Sequence, residues 1–108
     1  MRKRKDANQN LIENEFIARG ASVHDLSQAP KQLDMLVGYR GVTAWVEVKN
    51  PKMSPSKKKL TDAEDDIIST WRGLTWIVED TDDVNALLKH MGMQALQLAR
   101  GRINRGEI

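Results

Sequence analysis

The chain has 108 residues, of which 30% are charged and 40% hydrophobic, and its formal net charge is +2. This length predicts a single small domain over residues 1–108 with one modest hydrophobic core. Cysteine is absent, which excludes disulfide bridges and cysteine-rich zinc sites. Because no apolar stretch reaches membrane-spanning length and no secretory signal is evident, we expect a cytoplasmic protein without a membrane partner.

Positive charge is concentrated in the first part of the chain. Residues 1–60 contain twelve Lys or Arg against six Asp or Glu, whereas residues 61–108 contain five against nine. Two basic clusters account for much of this excess: Arg2, Lys3, Arg4 and Lys5 in a tail over residues 1–5, and Lys57, Lys58 and Lys59 in a polar loop. Phosphates attract such clusters regardless of base sequence, so both predict DNA contact, with a solvated tail and loop as the alternative.

The first elements along the chain are a helix and three strands. Ile12 and Phe16 mark the apolar face of a predicted helix over residues 6–19, which Gly20 closes. Strands are predicted at about 21–25, 33–38 and 42–49, and the last two form a hairpin. A Pro-, Ser- and Lys-rich loop follows over residues 50–60.

The remaining elements complete the order αβββαβα. Thr61 and Glu64 form a capping-box pattern that starts a second helix. A buried strand is expected at 74–78, followed by a third helix that Thr81 caps and Gly92 interrupts, so that about 92–108 forms a helical extension. Trp71 and Trp76 are expected in the core. An α/β fold with a central mixed sheet flanked by helices would bury the apolar faces of these helices and strands.

Three charged residues carry the strongest chemical signal. Asp34 lies in the second predicted strand, and Glu47 and Lys49 lie in the third. Side chains two apart share one face of a strand, so Glu47 and Lys49 point the same way. Asp34 can join them because the second strand lies beside the third. Two carboxylates and an amine in one patch fit a divalent-metal site for phosphodiester hydrolysis, although a charged solvent face is the commoner use of such pairs.

These residues also support a family resemblance. The chain resembles the PD-(D/E)XK nuclease superfamily with its restriction-endonuclease-like αβββαβ core, and in particular the small stand-alone VRR-NUC-type proteins of bacteriophages. The stretches that carry it lie within about residues 4–80: Arg4–Gln9, Gly20–Val23, Asp34, Leu36–Gly41, Glu47–Lys49, Lys59–Thr61 and Thr70–Gly73. Stand-alone viral members are similar to Holliday-junction resolvases and tend to be homodimers. If this protein is phage-encoded, the resemblance implies the host-cell cytoplasm as its location.

The resemblance implies Mg²⁺- or Mn²⁺-dependent cleavage of DNA, with branched DNA as the preferred substrate. It implies that Asp34, Glu47 and the main-chain oxygen of Val48 bind the metal and that Lys49 positions water or stabilises negative charge. The family's first helix usually adds a glutamate, here at the position of Leu11.

Glu15, or alternatively Glu13, is expected to take the place of that glutamate. Glu64 falls where relatives often carry an acid or glutamine near the site, although capping is its favoured role. Two alternatives to an active nuclease remain open. One is a catalytically weak or inactive module that only binds branched DNA, and the other is a structural partner that docks through its basic half.

Overall fold

The computed structural model describes residues 7–106, and a four-stranded mixed sheet forms the centre of this part of the chain. Its strands lie side by side in sequence order: β1 (Ser22–Asp25), β2 (Met35–Tyr39), β3 (Val42–Val48) and β4 (Leu74–Val78). The pairs β1–β2 and β2–β3 are antiparallel, whereas β3–β4 is parallel. The predicted α/β class with a mixed sheet flanked by helices is confirmed.

Four helices accompany the sheet within residues 7–106: α1 (Ala7–Ala18), α2 (Pro55–Lys58), α3 (Asp62–Thr70) and α4 (Thr81–Asn104). The short α2 lies in the segment predicted as loop. The predicted interruption at Gly92 is wrong, because α4 runs unbroken for 24 residues. A glycine inside a helix costs about 1 kcal/mol, which a long helix packed on a core tolerates. This helix is capped by Asp80 rather than Thr81, since the Asp80 side chain accepts the N–H of Asp83.

The hydrophobic core lies between one face of the sheet and the helices α1 and α4. Successive side chains of β3 point to opposite faces of the sheet. Ala44 and Val46 point into this core, and Trp45 and Glu47 point to the other face. The largest fully buried side chains are Phe16, Leu33, Met35, Leu87, Met91, Val37, Val46, Val78 and Val84. Each such burial stabilises the fold by roughly 2 kcal/mol.

The capping box at the start of α3 is confirmed. Oγ1 of Thr61 accepts the N–H of Glu64 at 3.2 Å, and Oε1 of Glu64 accepts the N–H of Thr61 at 2.9 Å. At the other end of this helix Trp71 is 54% exposed, so its expected place in the core is wrong. Instead its ring meets the ring of Trp45 edge-on, with centroids 4.9 Å apart.

A two-residue turn joins β2 to β3. Arg40 and Gly41 both have positive φ, at 51° and 83°, as a tight hairpin between twisted strands requires. The turn sets the register in which Met35 pairs with Val46, and it therefore brings the start of β2 beside the end of β3. No helix within residues 7–106 is both long and apolar enough to cross a membrane.

Candidate active site

Asp34, Glu47 and Lys49 line one cavity of about 300 Å³ at the edge of the sheet where β2 begins and β3 ends. Asp34 immediately precedes β2, and Lys49 immediately follows β3. The hairpin register places these two strand ends side by side. The structure thus brings together the three side chains that the sequence pattern singled out.

Lys49 is held between two carboxylates. Its Nζ lies 3.1 Å from Oε2 of Glu47 and 3.0 Å from Oε1 of Glu64. Burial opposes the charge on Lys49, but the hydrogen bonds and negative charge of Glu64 and Glu47 outweigh it and raise the pKa of the amine. Lys49 therefore stays protonated and presents a fixed positive charge inside the cavity.

Glu47 is the most deeply buried acid of this group, with 3% of its surface exposed. Burial, the hydrogen bond with Glu64 and the nearby charge of Asp34 raise the pKa of Glu47 to about 9, against the opposing effect of Lys49. Its Oε1 is buried and accepts no hydrogen bond from the described residues. A bound cation would satisfy this oxygen.

The pKa of Glu64 shifts in the opposite direction from that of Glu47. Burial acts to raise its pKa, but the hydrogen bonds from Glu47, the Thr61 N–H and Lys49 lower it to about 2. Near neutral pH the pair Glu47 and Glu64 therefore holds one proton, with the negative charge on Glu64. The sequence favoured helix capping for Glu64. In the structure Glu64 caps α3 and also anchors Lys49.

Asp34 and Val48 form the other wall of the cavity. Oδ2 of Asp34 accepts the main-chain N–H of Val48 at 2.8 Å, and both residues line the cavity. Asp34 is buried, with 6% exposed. This hydrogen bond fixes the aspartate against the last residue of β3, next to Glu47.

Two neighbouring amides at the start of α1 complete the site, and the sequence analysis did not single them out. Nδ2 of Asn8 donates to the carbonyls of Lys49, at 3.0 Å, and Glu79, at 3.2 Å, which ties the ends of β3 and β4 to the helix. Gln9 is buried and lines the cavity. Its Nε2 donates to Asp25 at 3.2 Å and to Glu13 at 3.3 Å.

The expectation that Glu15 faces the site is not met. Glu15 pairs with Arg19 one turn later and does not line the cavity, and neither does Glu13. Leu11, the aligned position, is 64% exposed and points away. Helical spacing could have indicated which residue of α1 lines the cavity, because Gln9 precedes the buried Ile12 by one turn and so lies on the same face.

The three lysines of the second basic cluster, at positions 57–59, have different surroundings. Lys57 lines the cavity, Lys58 forms an ion pair with Glu79 at 3.4 Å, and Lys59 is exposed just after α2. The first cluster, Arg2, Lys3, Arg4 and Lys5, lies outside the described residues. Lys57 is therefore the predicted DNA contact with direct access to the candidate site.

The available donors suit a hard divalent cation. Asp34, Glu47 and the Val48 carbonyl supply oxygen, the atom that Mg²⁺ and Mn²⁺ prefer. Over residues 7–106, no group of three or more His, Cys, Asp or Glu side chains is arranged to hold a metal, so a metal here would require a main-chain oxygen as its third ligand. The unsatisfied Oε1 of Glu47 is the observation that fits a cation at this position.

The geometry of this cavity is the basis for inferring function. No protein-family model, curated protein or solved structure matches the chain.

Proposed function

We propose that this protein is a metal-dependent endonuclease that hydrolyses phosphodiester bonds in DNA, preferably branched DNA such as Holliday junctions. The observation that carries the proposal is the buried, unsatisfied oxygen of Glu47 beside Asp34 and the fixed ammonium of Lys49. The order of helices and strands gives further support, since it follows the αβββαβ core of the PD-(D/E)XK nucleases that the sequence resembles.

Asp34, Glu47 and the Val48 carbonyl would hold Mg²⁺ or Mn²⁺. When bound, such an ion polarises the scissile phosphate and lowers the pKa of water. Lys49 uses two of its three N–H donors on Glu47 and Glu64, which leaves one for the attacking water or a phosphate oxygen. Its positive charge offsets the negative charge that develops on the phosphate during hydrolysis.

The residues at the edge of the cavity would bind the DNA backbone. Lys57 and Asn50 line the cavity beside Lys49. A lysine ammonium attracts phosphate without reading base sequence. This arrangement favours substrate selection by DNA shape over selection by sequence.

A cleavage assay tests the proposal. Junction, flap, duplex and single-stranded DNA are incubated with Mg²⁺, Mn²⁺ or EDTA, and products are resolved on a denaturing gel. We expect metal-dependent cleavage, preferably of the junction, and its loss in Asp34→Asn, Glu47→Gln and Lys49→Met. Circular dichroism verifies that each variant is folded. Cleavage retained by all three variants would refute the assignment of the site.

A second candidate function is DNA binding without catalysis. The specific observation in its favour is that α1 places an amide, Gln9, in the cavity, and that both Asp25 and Glu13 already accept its N–H groups. The site then has two acidic ligands for a metal rather than three. A protein of this kind would bind junctions tightly and yield no product with either metal.

We also propose a homodimer, because two cuts in a two-fold junction require two sites. The C-terminal half of α4 exposes Leu98 and Ile103, and these apolar side chains support a contact between copies. Met91, earlier on the same helix, is fully buried and does not contribute to this surface. Light scattering after gel filtration should give twice the monomer mass. In the Leu98→Glu variant the measured mass should fall toward that of the monomer.

A further inference from the structure

A second and larger cavity, of about 560 Å³, lies at the opposite end of the β2–β3 hairpin from the candidate active site. The hairpin turn, the end of α1 and the middle of α4 enclose it. Three of its lining side chains are cationic, and they come from three different elements: Arg19, Arg40 and Lys89. Tyr39 and Asn85 add polar groups, and Leu88, Met93 and Leu96 form an apolar wall.

This cavity is separate from the candidate active site. The two share no lining residue. They lie at opposite ends of β3, whose seven residues at about 3.3 Å each give a separation on the order of 20 Å. Nucleotides of one strand repeat about every 3.4 Å along a duplex, so this span corresponds to roughly six of them.

The positive charge of the cavity is largely uncompensated. Arg19 pairs with Glu15, and its Nε donates to Asn85 at 2.8 Å, so this arginine is fixed and neutralised. Arg40 and Lys89 have no acidic partner among residues 7–106. The guanidinium of Arg40 lies 5.1 Å from the centroid of the Tyr39 ring. Two cations without an acidic partner in the described part of the chain thus face one concave surface.

The backbone of Arg40 supplies an independent observation. Its φ of 51° lies in the left-handed region, which Asn, Asp and Gly adopt far more readily than arginine. A two-residue turn of this kind normally carries Asn or Asp before glycine. The chain therefore has an arginine at a turn position whose backbone conformation is unfavourable for that residue. The side chain of this arginine lines the cavity.

We propose that this cavity is a second DNA contact, in which Arg40 and Lys89 bind phosphates of the strand that leaves the candidate active site. Tyr39 and the apolar wall would receive the attached sugar or base edge. The inference rests on the proposed function for the identity of the polyanion, but the binding itself needs neither metal nor cleavage. It would extend the DNA footprint across the length of the hairpin.

Variants of the turn test the proposal. Arg40→Asn removes the cation and places a favoured residue at the positive-φ position, so thermal stability should be unchanged or higher. Arg40→Lys retains the charge, and Lys89→Gln removes the other cation. Arg72→Gln is the matched control, because Arg72 is exposed and lines neither cavity. Affinity for a duplex that can reach both cavities is measured by fluorescence anisotropy in EDTA, between about 50 and 200 mM salt.

We expect Arg40→Asn and Lys89→Gln each to weaken DNA binding by roughly tenfold and to reduce the slope of log K against log salt by about 1. Arg40→Lys should retain most of the affinity, and Arg72→Gln should leave it unchanged. Unaltered affinity and slope in the Arg40→Asn, Lys89→Gln double variant would overturn the proposal.

A free nucleotide carries the same phosphate group as a DNA strand and is the alternative ligand for this cavity. Titration with dTMP distinguishes the two, because a strand contact predicts binding of the mononucleotide far weaker than of DNA. If the double variant loses dTMP binding but retains DNA affinity, the cavity binds free nucleotide and the proposal is wrong. Failure of the wild-type protein to cleave DNA would count against the proposed function alone, since these affinities are measured without metal.

Discussion

Lys49 and Glu64 meet at a single oxygen: Nζ of Lys49 lies 3.0 Å from Oε1 of Glu64, the same atom that accepts the N–H of Thr61 at 2.9 Å. The start of α3 and the cation of the candidate site are thus coupled through one carboxylate. A change at Glu64 is expected to affect helix stability and catalysis together.

Glu64→Gln tests this coupling. The amide oxygen can still accept the Thr61 N–H, but the charge that anchors Lys49 is lost. Loss of one charge-assisted hydrogen bond, worth about 1.5–3 kcal/mol, would lower single-turnover cleavage by roughly ten- to a hundredfold. Stability should fall by about 1 kcal/mol, measured by urea denaturation.

A cap elsewhere in the fold provides the control. The side chain of Asp80 caps α4 by accepting the Asp83 N–H at 3.0 Å, and Asp80 does not line the candidate site. Asp80→Ala should lose about 1 kcal/mol of stability without a comparable loss of cleavage. Equal losses of cleavage in both variants would mean that Glu64 acts only through stability.

The raised pKa of Glu47 makes a prediction about stability in the absence of metal. Between pH 4.5, its ordinary pKa, and about 9, its pKa in the folded protein, the unfolded chain has released this proton while the folded protein retains it. The contribution of Glu47 to stability therefore falls as pH rises through this window.

Glu47→Gln removes this titration. The free energy of unfolding of the variant minus that of the wild type should increase from about pH 5 to pH 9 in EDTA and then level off. Urea denaturation at several pH values measures the difference. Parallel pH profiles for the two proteins would show that Glu47 is ionised throughout.

Metal binding should release a proton. At pH 7 Glu47 holds its proton, because burial and nearby acids place its pKa at about 9. A metal that binds this carboxylate must displace that proton, so apparent affinity should rise by about tenfold per pH unit below pH 9.

Calorimetry with Mn²⁺ in two buffers of different ionisation enthalpy gives the number of protons released, which should be close to one at pH 7. Glu47→Gln should show no specific binding. Binding by the wild type without proton release would place the metal away from Glu47.

Gln9→Glu would add a fourth acid to the cavity, which Asp34, Glu47 and Glu64 already line. The buried Gln9 amide now donates to Asp25 and Glu13, so a carboxylate there loses two hydrogen bonds and meets two like charges. Without metal, stability should fall by about 1–3 kcal/mol. With Mg²⁺ or Mn²⁺ present, much of this loss should be recovered, and metal affinity should exceed that of the wild type.

Asn10→Glu is the matched control, since it adds the same charge to α1 at an exposed position outside the cavity. Thermal denaturation with and without metal measures both variants. An identical response of the two variants to metal would contradict the placement of Gln9 at a metal site.

The sequence predicted the order of strands and helices, apart from the short α2, and the meeting of Asp34 with Glu47 and Lys49. These features follow from local signals, namely alternation in the strands and the tight turn at Arg40 and Gly41 that fixes their register. Both signals act over a few residues, so they can be read without the tertiary structure.

Other features depend on packing that no local pattern encodes. The rotation of α1 about its axis, which buries Gln9 and turns Glu15 to Arg19, is set by its contacts with the sheet and α4. Trp71 is exposed because α3 ends beside Trp45 and not above the core. The helix α4 continues through Gly92 because the buried side chains of Leu88 and Met91 pack it on the core, which offsets the cost of the glycine.

The strand that carries Glu47 is the interior β3, which β2 and β4 pair on both sides. Amides of such a strand exchange with solvent mainly through global unfolding, whereas edge strands and helix ends open in smaller fluctuations. Glu47 therefore occupies the least mobile part of the scaffold, and Asp34 and Lys49 lie at the ends of paired strands beside it. Adjustment to a bound strand would fall to the segment from Asn50 to Lys59, so Glu47 would stay preorganised while the protein adapts around it.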